Sequence, residues 1–288
     1  MNEEGKGEEM SVALCIGMGL FIVLTAAIAL MLATPFEASG IKAFQNPESI
    51  WNPAYFFILI IGFTALILIV LRFGGKRIVY FVMLAAVAVT IYYVMTVLVP
   101  YDHIPLVSTL ALTLLLYKYP EWYVLDATGL IIGGGAAAIF GISLGILPVL
   151  LLMIILAMYD AIAVYKTKHM VSLAESIVDL RVPVLFVLPR KRSFSLLRGK
   201  DQEGGKTEME EAFFMGLGDA IIPSMLVVSA FVNYASVAPA LGTLMGTLAG
   251  YAVLSRIAGR GKPHAGLPFL NSGAILGFVI WYMFAMVV

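Results

Sequence analysis

Two aspartates, each set in a long apolar stretch without other charges, are the residues of this sequence best suited to chemistry. Asp160 lies six residues before Lys166, the first charge that follows it, and Asp219 lies seven residues after Ala212, where another apolar stretch begins. At helical rise, the two carboxyl groups would lie ~9 Å and ~10 Å from the ends of their helices. Ionisable groups in hydrocarbon are costly and usually mark function. If these two apolar stretches form consecutive antiparallel helices in a membrane, Asp160 and Asp219 lie at the same depth on one side of it.

A pair of carboxyl groups at matching depth can share one proton, because two adjacent carboxylates cannot both ionise cheaply. The ionised member can then take a proton from water while the protonated member polarises a peptide carbonyl. This route to hydrolysis needs no metal and no organic cofactor, so we expect neither. Gly216 and Gly218 leave room for another backbone beside Asp219. Pro223 cannot donate to the Asp219 carbonyl, which loosens the helix at this acid.

The same residues also fit other classes of membrane protein. A proton- or cation-coupled transporter can use intramembrane aspartates of this kind, and the pair alone does not separate it from a hydrolase. Against the transporter, the charge pattern shows no inverted repeat around paired broken helices. A substrate-binding scaffold without catalysis stays open as a third class. A further intramembrane acid, Asp126, lies only a few residues inside its apolar stretch, and we expect a structural role for it.

The composition requires a membrane around these residues. Hydrophobic residues make up 61% of the 288, and charged residues make up 12%, about half the usual globular share. This excludes an ordinary soluble enzyme. The net charge of zero provides no basic field for nucleic acid. The single cysteine cannot form an internal disulfide, and the three histidines are too far apart for metal-site spacing. We therefore predict an all-α polytopic protein integral to the lipid bilayer, in the cell membrane, with no nucleic-acid partner.

Nine stretches are candidates for spanning a bilayer, which takes about 20 apolar residues. Charges and glycine, proline or asparagine residues delimit them: 11–36, 49–71, 78–101, 104–117, two within 122–165 divided at 141–145, two within 212–255 divided at 233–239, and one after Lys262. The stretch 104–117 is short, and it spans only if the flanking His103 and Lys118 extend to the interfaces.

The positions of the basic residues support nine transmembrane helices and indicate their orientation. With a cytoplasmic N-terminus, 17 of the 18 lysines and arginines fall on the cytoplasmic side, and only Lys42 falls outside. This is the asymmetry that membrane proteins show. Omitting the span 104–117 would place the basic cluster between Lys166 and Lys206 outside. We therefore expect the N-terminus to be cytoplasmic and the C-terminus outside.

This order of spans divides the chain into three parts. Residues 1–165 form an N-terminal six-helix bundle, 166–211 a cytoplasmic loop, and 212–288 a C-terminal three-helix unit. In the loop, residues 171–180 have the apolar spacing of a helix on the membrane surface. Residues 182–189 are β-prone, and their prolines disfavour a helix. The charged stretch 190–211 is typical of a mobile loop.

Three motifs resemble those of a known protease family. They are Tyr159-Asp160 in span six, Gly216-Leu217-Gly218-Asp219 in span seven and Leu267-Pro268-Phe269-Leu270 in span nine. They look like the YD, GxGD and PAL motifs of the presenilin and signal peptide peptidase family of intramembrane aspartyl proteases, in the same order. The likeness is closest to an archaeal presenilin homologue and covers mainly residues 145–288.

The resemblance implies an aspartic endopeptidase of the GxGD type with Asp160 and Asp219 as its catalytic pair. The supporting motif residues would be Tyr159, Gly216, Leu217, Gly218, Pro268, Phe269 and Leu270. The last three would shape the active site. Phe269 stands where the family has alanine, and its larger ring would narrow the substrate groove.

The implied substrates are transmembrane-helix peptides, whose carbonyls must leave their helical hydrogen bonds before water can attack. The β-prone segment of the loop could hold the unwound peptide by strand pairing. Its candidate pairing residues are Val182, Val184, Leu185, Phe186 and Val187. Packing of this segment against the bundle is the alternative. The sequence does not indicate accessory subunits.

Overall fold

The computed structural model is a bundle of helices with one small sheet. It describes residues 3–99, 101, 103–167, 183–190, 194–196, 212–258 and 264–287. Its helices are α1 (Glu3–Ser39), α2 (Asn52–Arg72), α3 (Lys76–Leu98), α4 (Ile104–Lys118), α5 (Trp122–Ser143), α6 (Ile146–Ile162), α7 (Leu217–Tyr234), α8 (Val237–Ala258) and α9 (Leu267–Val287). Two strands, β1 (Leu185–Pro189) and β2 (Ala212–Gly216), come between α6 and α7.

The predicted spans appear as helices. Within the described ranges there are nine, and eight of them are long and apolar enough to cross a membrane. The exception is α4, whose 15 residues begin after His103 and end at Lys118, as the short predicted span requires. The predicted divisions also agree, since α5 and α6 separate at residues 144–145 and α7 and α8 at residues 235–236.

Helix α5 lies at the centre of the bundle, where it packs against α1, α3, α7 and β1. Small residues make this possible. A methyl group added at Gly133 would lie 3.3 Å from Thr25 Cγ2 of α1 and 3.4 Å from Leu217 Cδ1 of α7. Close approach of helix backbones at glycine is the usual packing device of membrane bundles. Through α5, the start of α7 is held against α1.

Helix α9 is held in place by α8 and α6. Added Cβ atoms at Gly246 and Gly277 would overlap backbone atoms of the opposite helix, so α8 and α9 pack backbone to backbone. On α6, the Met153 carbonyl accepts a hydrogen bond of 2.9 Å from Nδ2 of the buried Asn271. These contacts bring the beginning of α9 beside the end of α6, where Asp160 lies.

The two strands form an antiparallel sheet directly before α7. Leu185 pairs with Gly216, and Pro189 pairs with Ala212. The structure confirms a strand within 182–189. The prediction that a helix begins at Ala212 is wrong, because residues 212–216 form β2. The aromatic residues of β2 favour a strand, and pairing with β1 satisfies backbone groups that a helix would otherwise satisfy internally.

Three residues of the connection between the strands are packed. Phe194 and Leu196 are buried among side chains of α3, α4 and α5. The Glu121 carboxylate accepts hydrogen bonds from the Ser195 hydroxyl at 2.5 Å and from the Leu196 amide at 3.2 Å. The interpretation of the whole stretch 190–211 as mobile is therefore wrong for residues 194–196. The predicted surface helix at 171–180 lies outside the described residues.

Candidate active site

Asp160 and Asp219 meet at one end of the bundle. Asp160 is buried near the end of α6, and a π-helical turn, Ala163–Thr167, follows it. Asp219 is the third residue of α7. The two carboxyl groups are close enough to interact electrostatically. Two antiparallel helices thus supply one carboxyl group each to a single site.

The N-terminus of α9 is directed at Asp160. The Leu267 amide donates a hydrogen bond of 3.1 Å to Asp160 Oδ2, and the Gly266 amide is also directed at this carboxyl group. The first amides of a helix have no partner within the helix, and proline fits there because it lacks an N–H. Pro268, the second residue of α9, has no N–H that needs a partner, and the Leu267 amide before it is available to Asp160. The positive end of the helix dipole stabilises negative charge at this point.

Glycines lie against Asp219 on two sides. A methyl group added at Gly266 would lie 2.8 Å from Asp219 Oδ2 and 2.9 Å from Oδ1, and one added at Gly216 would lie 3.4 Å from Oδ2. Gly266 thus lies next to both aspartates: its Cα faces Asp219, and its amide is directed at Asp160. Gly266 lies outside the three sequence motifs. Its position directly before Leu267-Pro268, at the start of a helix, is one where a cap residue is expected, and this is the feature of the sequence that could have indicated it.

The other residues of the GxGD motif, and Tyr159 beside Asp160, have different surroundings. The Leu217 amide donates to the Val184 carbonyl at 2.9 Å, so the sheet continues to the first residue of α7. Gly218 is exposed, and an added methyl group would meet open space. Tyr159, beside Asp160, packs its ring edge-on against Phe57 of α2, with 5.7 Å between centroids.

The proline motif forms the first turn of α9. Leu270 is fully buried, whereas Pro268 and Phe269 are half-buried. Phe269 packs with the apolar residues around Met215 and Leu217. The motif therefore lies against both the end of the sheet and the start of α7.

The predicted pairing segment already has a partner within the chain. The Leu217-to-Val184 hydrogen bond and the strand register show that alternate residues of β1 face β2. Val187 faces the opposite, outer edge, and its amide donates a hydrogen bond of 2.8 Å to Asp126 Oδ1 of α5. Asp126 thus contacts β1. Of the candidate pairing residues, Val182 lies outside the described part of the chain.

The described residues contain no group of three or more histidine, cysteine, aspartate or glutamate side chains that could hold a metal ion. The polar groups of described residues that approach Asp160 are the backbone amides of Gly266 and Leu267. Two neighbouring carboxyl groups can share a proton, so the arrangement has the groups that acid–base chemistry by a carboxyl pair requires.

Comparison with known proteins gives a consistent result. The family model described as signal-peptide peptidase, presenilin aspartyl protease matches residues 18–287. A solved structure of a presenilin family intramembrane aspartate protease in space group P2 is 39% identical, with a TM-score of 0.69, and the match covers 93% of this chain and 97% of that chain. A structure described in the same words in space group C222 is 38% identical, with a TM-score of 0.70 and coverage of 94% and 99%. The comparison with curated proteins found no match.

The family match extends well beyond the region that carries the three motifs. It begins in α1 and ends in α9, so the first five helices belong to the same fold as the site. With its long apolar helices, the protein is a multi-pass integral membrane protein. The resemblance seen in the motifs is confirmed, and the chain belongs to the signal peptide peptidase and presenilin family of aspartyl proteases.

Proposed function

We propose that Asp160 and Asp219 are the catalytic pair of a GxGD-type intramembrane endopeptidase, which hydrolyses peptide bonds within or near transmembrane helices of its substrates. The observation that carries this proposal is that both carboxyl groups border the start of α9, where the Leu267 amide donates to Asp160 and the adjacent Gly266 lies against Asp219. The similar solved structures, described as intramembrane aspartate proteases, support the reaction class. No observation favours the transporter.

The two aspartates have different surroundings, which suggests different roles. Amide donors stabilise negative charge on the carboxylate that they contact, and Asp160 accepts from the start of α9. No described residue donates a hydrogen bond to Asp219. Asp160 is then the base that takes a proton from water, and the water oxygen attacks the peptide carbonyl carbon. Asp219 carries the shared proton to the carbonyl oxygen. When the tetrahedral intermediate collapses, the C–N bond breaks and the leaving nitrogen takes a proton from the pair.

The sheet offers a partner for the unwound substrate. At Val187, β1 contacts β2 on one edge and Asp126 on the other. The outward edge of β2 includes the backbone of Phe214, and it leads through Gly216 to Asp219. We therefore propose that the extended substrate joins the sheet along β2, with β1 as the inner strand. Direct pairing of the substrate with β1 remains the prediction from sequence.

Two proline substitutions distinguish substrate pairing along β2 from substrate pairing along β1. Phe214→Pro removes an outward amide of β2, and Leu185→Pro removes an outward amide of β1, while both keep the bonds between the strands. Phe214→Pro is expected to lower kcat/KM about tenfold, and Leu185→Pro to change it little. Phe214→Ala and Leu185→Ala are the matched controls, because they remove the side chain and keep the amide. A larger loss for Leu185→Pro than for Phe214→Pro would assign the substrate to β1.

Hydrolysis of a tagged single-span peptide by the purified protein in detergent tests the reaction class. The rate should follow a bell-shaped pH profile, because both carboxyl groups are protonated at low pH and both are ionised at high pH. A hydroxyl-bearing mimic of the tetrahedral intermediate should block cleavage, and EDTA should leave it unchanged. Loss of cleavage on chelation that is restored by added metal would contradict the carboxyl-pair mechanism.

We also propose that the N-terminus is cytoplasmic, as the distribution of lysine and arginine indicates. The starts of α5, α7 and α9 and the end of α6 would then be on the cytoplasmic side. Cleavage would accordingly occur in the cytoplasmic half of the substrate helix.

A further inference from the structure

Asp126 is a buried carboxyl group that the proposed mechanism does not use. It lies in the second turn of α5 and is 4% exposed. Oδ1 accepts the Val187 amide at 2.8 Å, whereas Oδ2 is buried and has no hydrogen-bond partner among the described residues. A buried polar group with incomplete hydrogen bonding destabilises the fold. A buried carboxyl group that destabilises the fold is expected to have a function, and its contact with Val187 indicates where that function lies.

The face of α5 that carries Asp126 also receives the sheet. One helical turn further along, a methyl group added at Gly129 would lie 3.3 Å from Phe186 Cε1 and 3.5 Å from Leu217 Cδ1. Phe186 is fully buried and stacks on Phe21 of α1, with 4.6 Å between ring centroids. Asp126 thus holds the backbone of β1 while Gly129 accepts its neighbouring side chain.

The hydrogen bond from Val187 also affects which edge of the sheet is open. A strand edge with unpaired amides is a template for another strand, and Val187 lies on the outer edge of β1. Asp126 occupies this amide. The opposite edge of the sheet, along β2, ends at Gly216, which lies against Asp219.

We propose that Asp126 is a positioning residue of the protease. By accepting the Val187 amide, it anchors β1 on α5 and occupies the outer edge of β1 at Val187, so that an extended substrate joins at β2 and reaches the aspartates in one register. This inference rests on the proposed function. Its chemical requirement is a hydrogen-bond acceptor at Oδ1, and a negative charge is not required.

Three variants of α5 test the requirement for the acceptor. Asp126→Leu removes the acceptor while keeping the same number and branching of side-chain heavy atoms, and Asp126→Asn keeps the acceptor. Thr128→Val is the matched control, because this buried hydroxyl donates only within α5, to the Val124 carbonyl at 2.6 Å and the Leu125 carbonyl at 3.1 Å. Full-length variants are compared in detergent by amide hydrogen exchange of β1, by kcat and KM for a tagged single-span peptide, and by mass spectrometry of the cleaved bonds.

In Asp126→Leu, the Val187 amide should exchange at least about tenfold faster, kcat/KM should fall about tenfold, and cleavage should spread over several bonds. Asp126→Asn should restore slow exchange and the parent's cleavage position, and Thr128→Val should match the parent in all three measurements. A merely structural role would lower thermal stability without moving the cleaved bond. Unchanged exchange of Val187 in Asp126→Leu, or unchanged cleavage positions, would overturn the proposal.

The exchange measurement is independent of turnover, so it separates the two proposals. If the parent cleaves no peptide, the proposed function fails, whereas the contact between Asp126 and Val187 is still decided by exchange. If Asp126→Leu does not fold, the parent itself provides the comparison. Its Val187 amide should exchange at least about tenfold more slowly than the Leu185 amide, which lies on the same edge without an acceptor among the described residues. Equal exchange of these two amides would overturn the proposal.

Discussion

Protein carrying Asp160→Asn or Asp219→Asn should lose peptide cleavage, with turnover at least about 1,000-fold below that of the parent. Either change removes one of the two carboxyl groups between which the proton is shared, so neither a base nor an acid can be regenerated. The fold should persist because asparagine has nearly the size of aspartate. At position 160, its side-chain oxygen can still accept the Leu267 amide. Cleavage of a tagged single-span peptide and thermal unfolding in detergent are the two measurements.

The matched control is Glu37→Gln, which makes the same carboxyl-to-amide change on an exposed residue near the end of α1. It should cleave like the parent. Turnover within tenfold of the parent in either active-site variant would contradict the assignment of the pair. Hydrolysis must be the readout, since a transporter would also lose activity on these changes.

Gly266→Ala is expected to lower kcat roughly 100-fold, although it adds a single methyl group outside the catalytic side chains. The added carbon would lie 2.8 Å from Asp219 Oδ2 and 3.0 Å from Cγ. These atoms belong to the end of a side chain that can rotate, so we expect the carboxyl group to turn away and the helices to stay in place. The distance between the two carboxyl groups would then change by a fraction of an ångström or more, which is enough to disrupt a shared proton.

Gly62→Ala provides the control for this prediction, because an added methyl group on α2 meets open space. Alanine also favours a helix more than glycine does, so this variant should be as active and as stable as the parent. For Gly266→Ala, we expect a large loss of kcat with little change in thermal stability. An unchanged kcat would mean that Gly266 does not set the position of Asp219. A large loss of stability would indicate that the methyl group displaces backbone instead.

Much of the helical architecture could be predicted because its causes are local in sequence. An apolar stretch of sufficient length between charges is a transmembrane helix whatever its neighbours are. The divisions at 141–145 and 233–239 follow from residues that interrupt helices, and the structure confirms them. Even the short α4 was predictable, because the distribution of lysine and arginine requires a reversal of direction there. The strand at β1 follows from its β-prone, proline-containing sequence.

The same local reasoning fails at β2. The sequence from Ala212 reads as the beginning of an apolar helix, and only its pairing with β1, residue by residue from Ala212 to Gly216, makes it a strand. Residues 194–196 likewise lie in a charged stretch, yet Phe194 and Leu196 are buried against α3, α4 and α5. In both cases, a contact with a distant part of the chain overrides the local preference.

The sequence by itself therefore determined the membrane class, the helices and the identity of the two candidate aspartates, because each depends on composition or on short motifs. The tertiary structure decided how those aspartates are surrounded. The amide of Leu267 on Asp160, the close approach of Gly266 to Asp219, and the acceptance of the Val187 amide by Asp126 join residues 107, 47 and 61 positions apart. No spacing along the chain encodes such contacts. They arise because packing of α5, α6 and α9 brings distant parts of the chain together, and buried carboxyl groups then take backbone amides as hydrogen-bond donors.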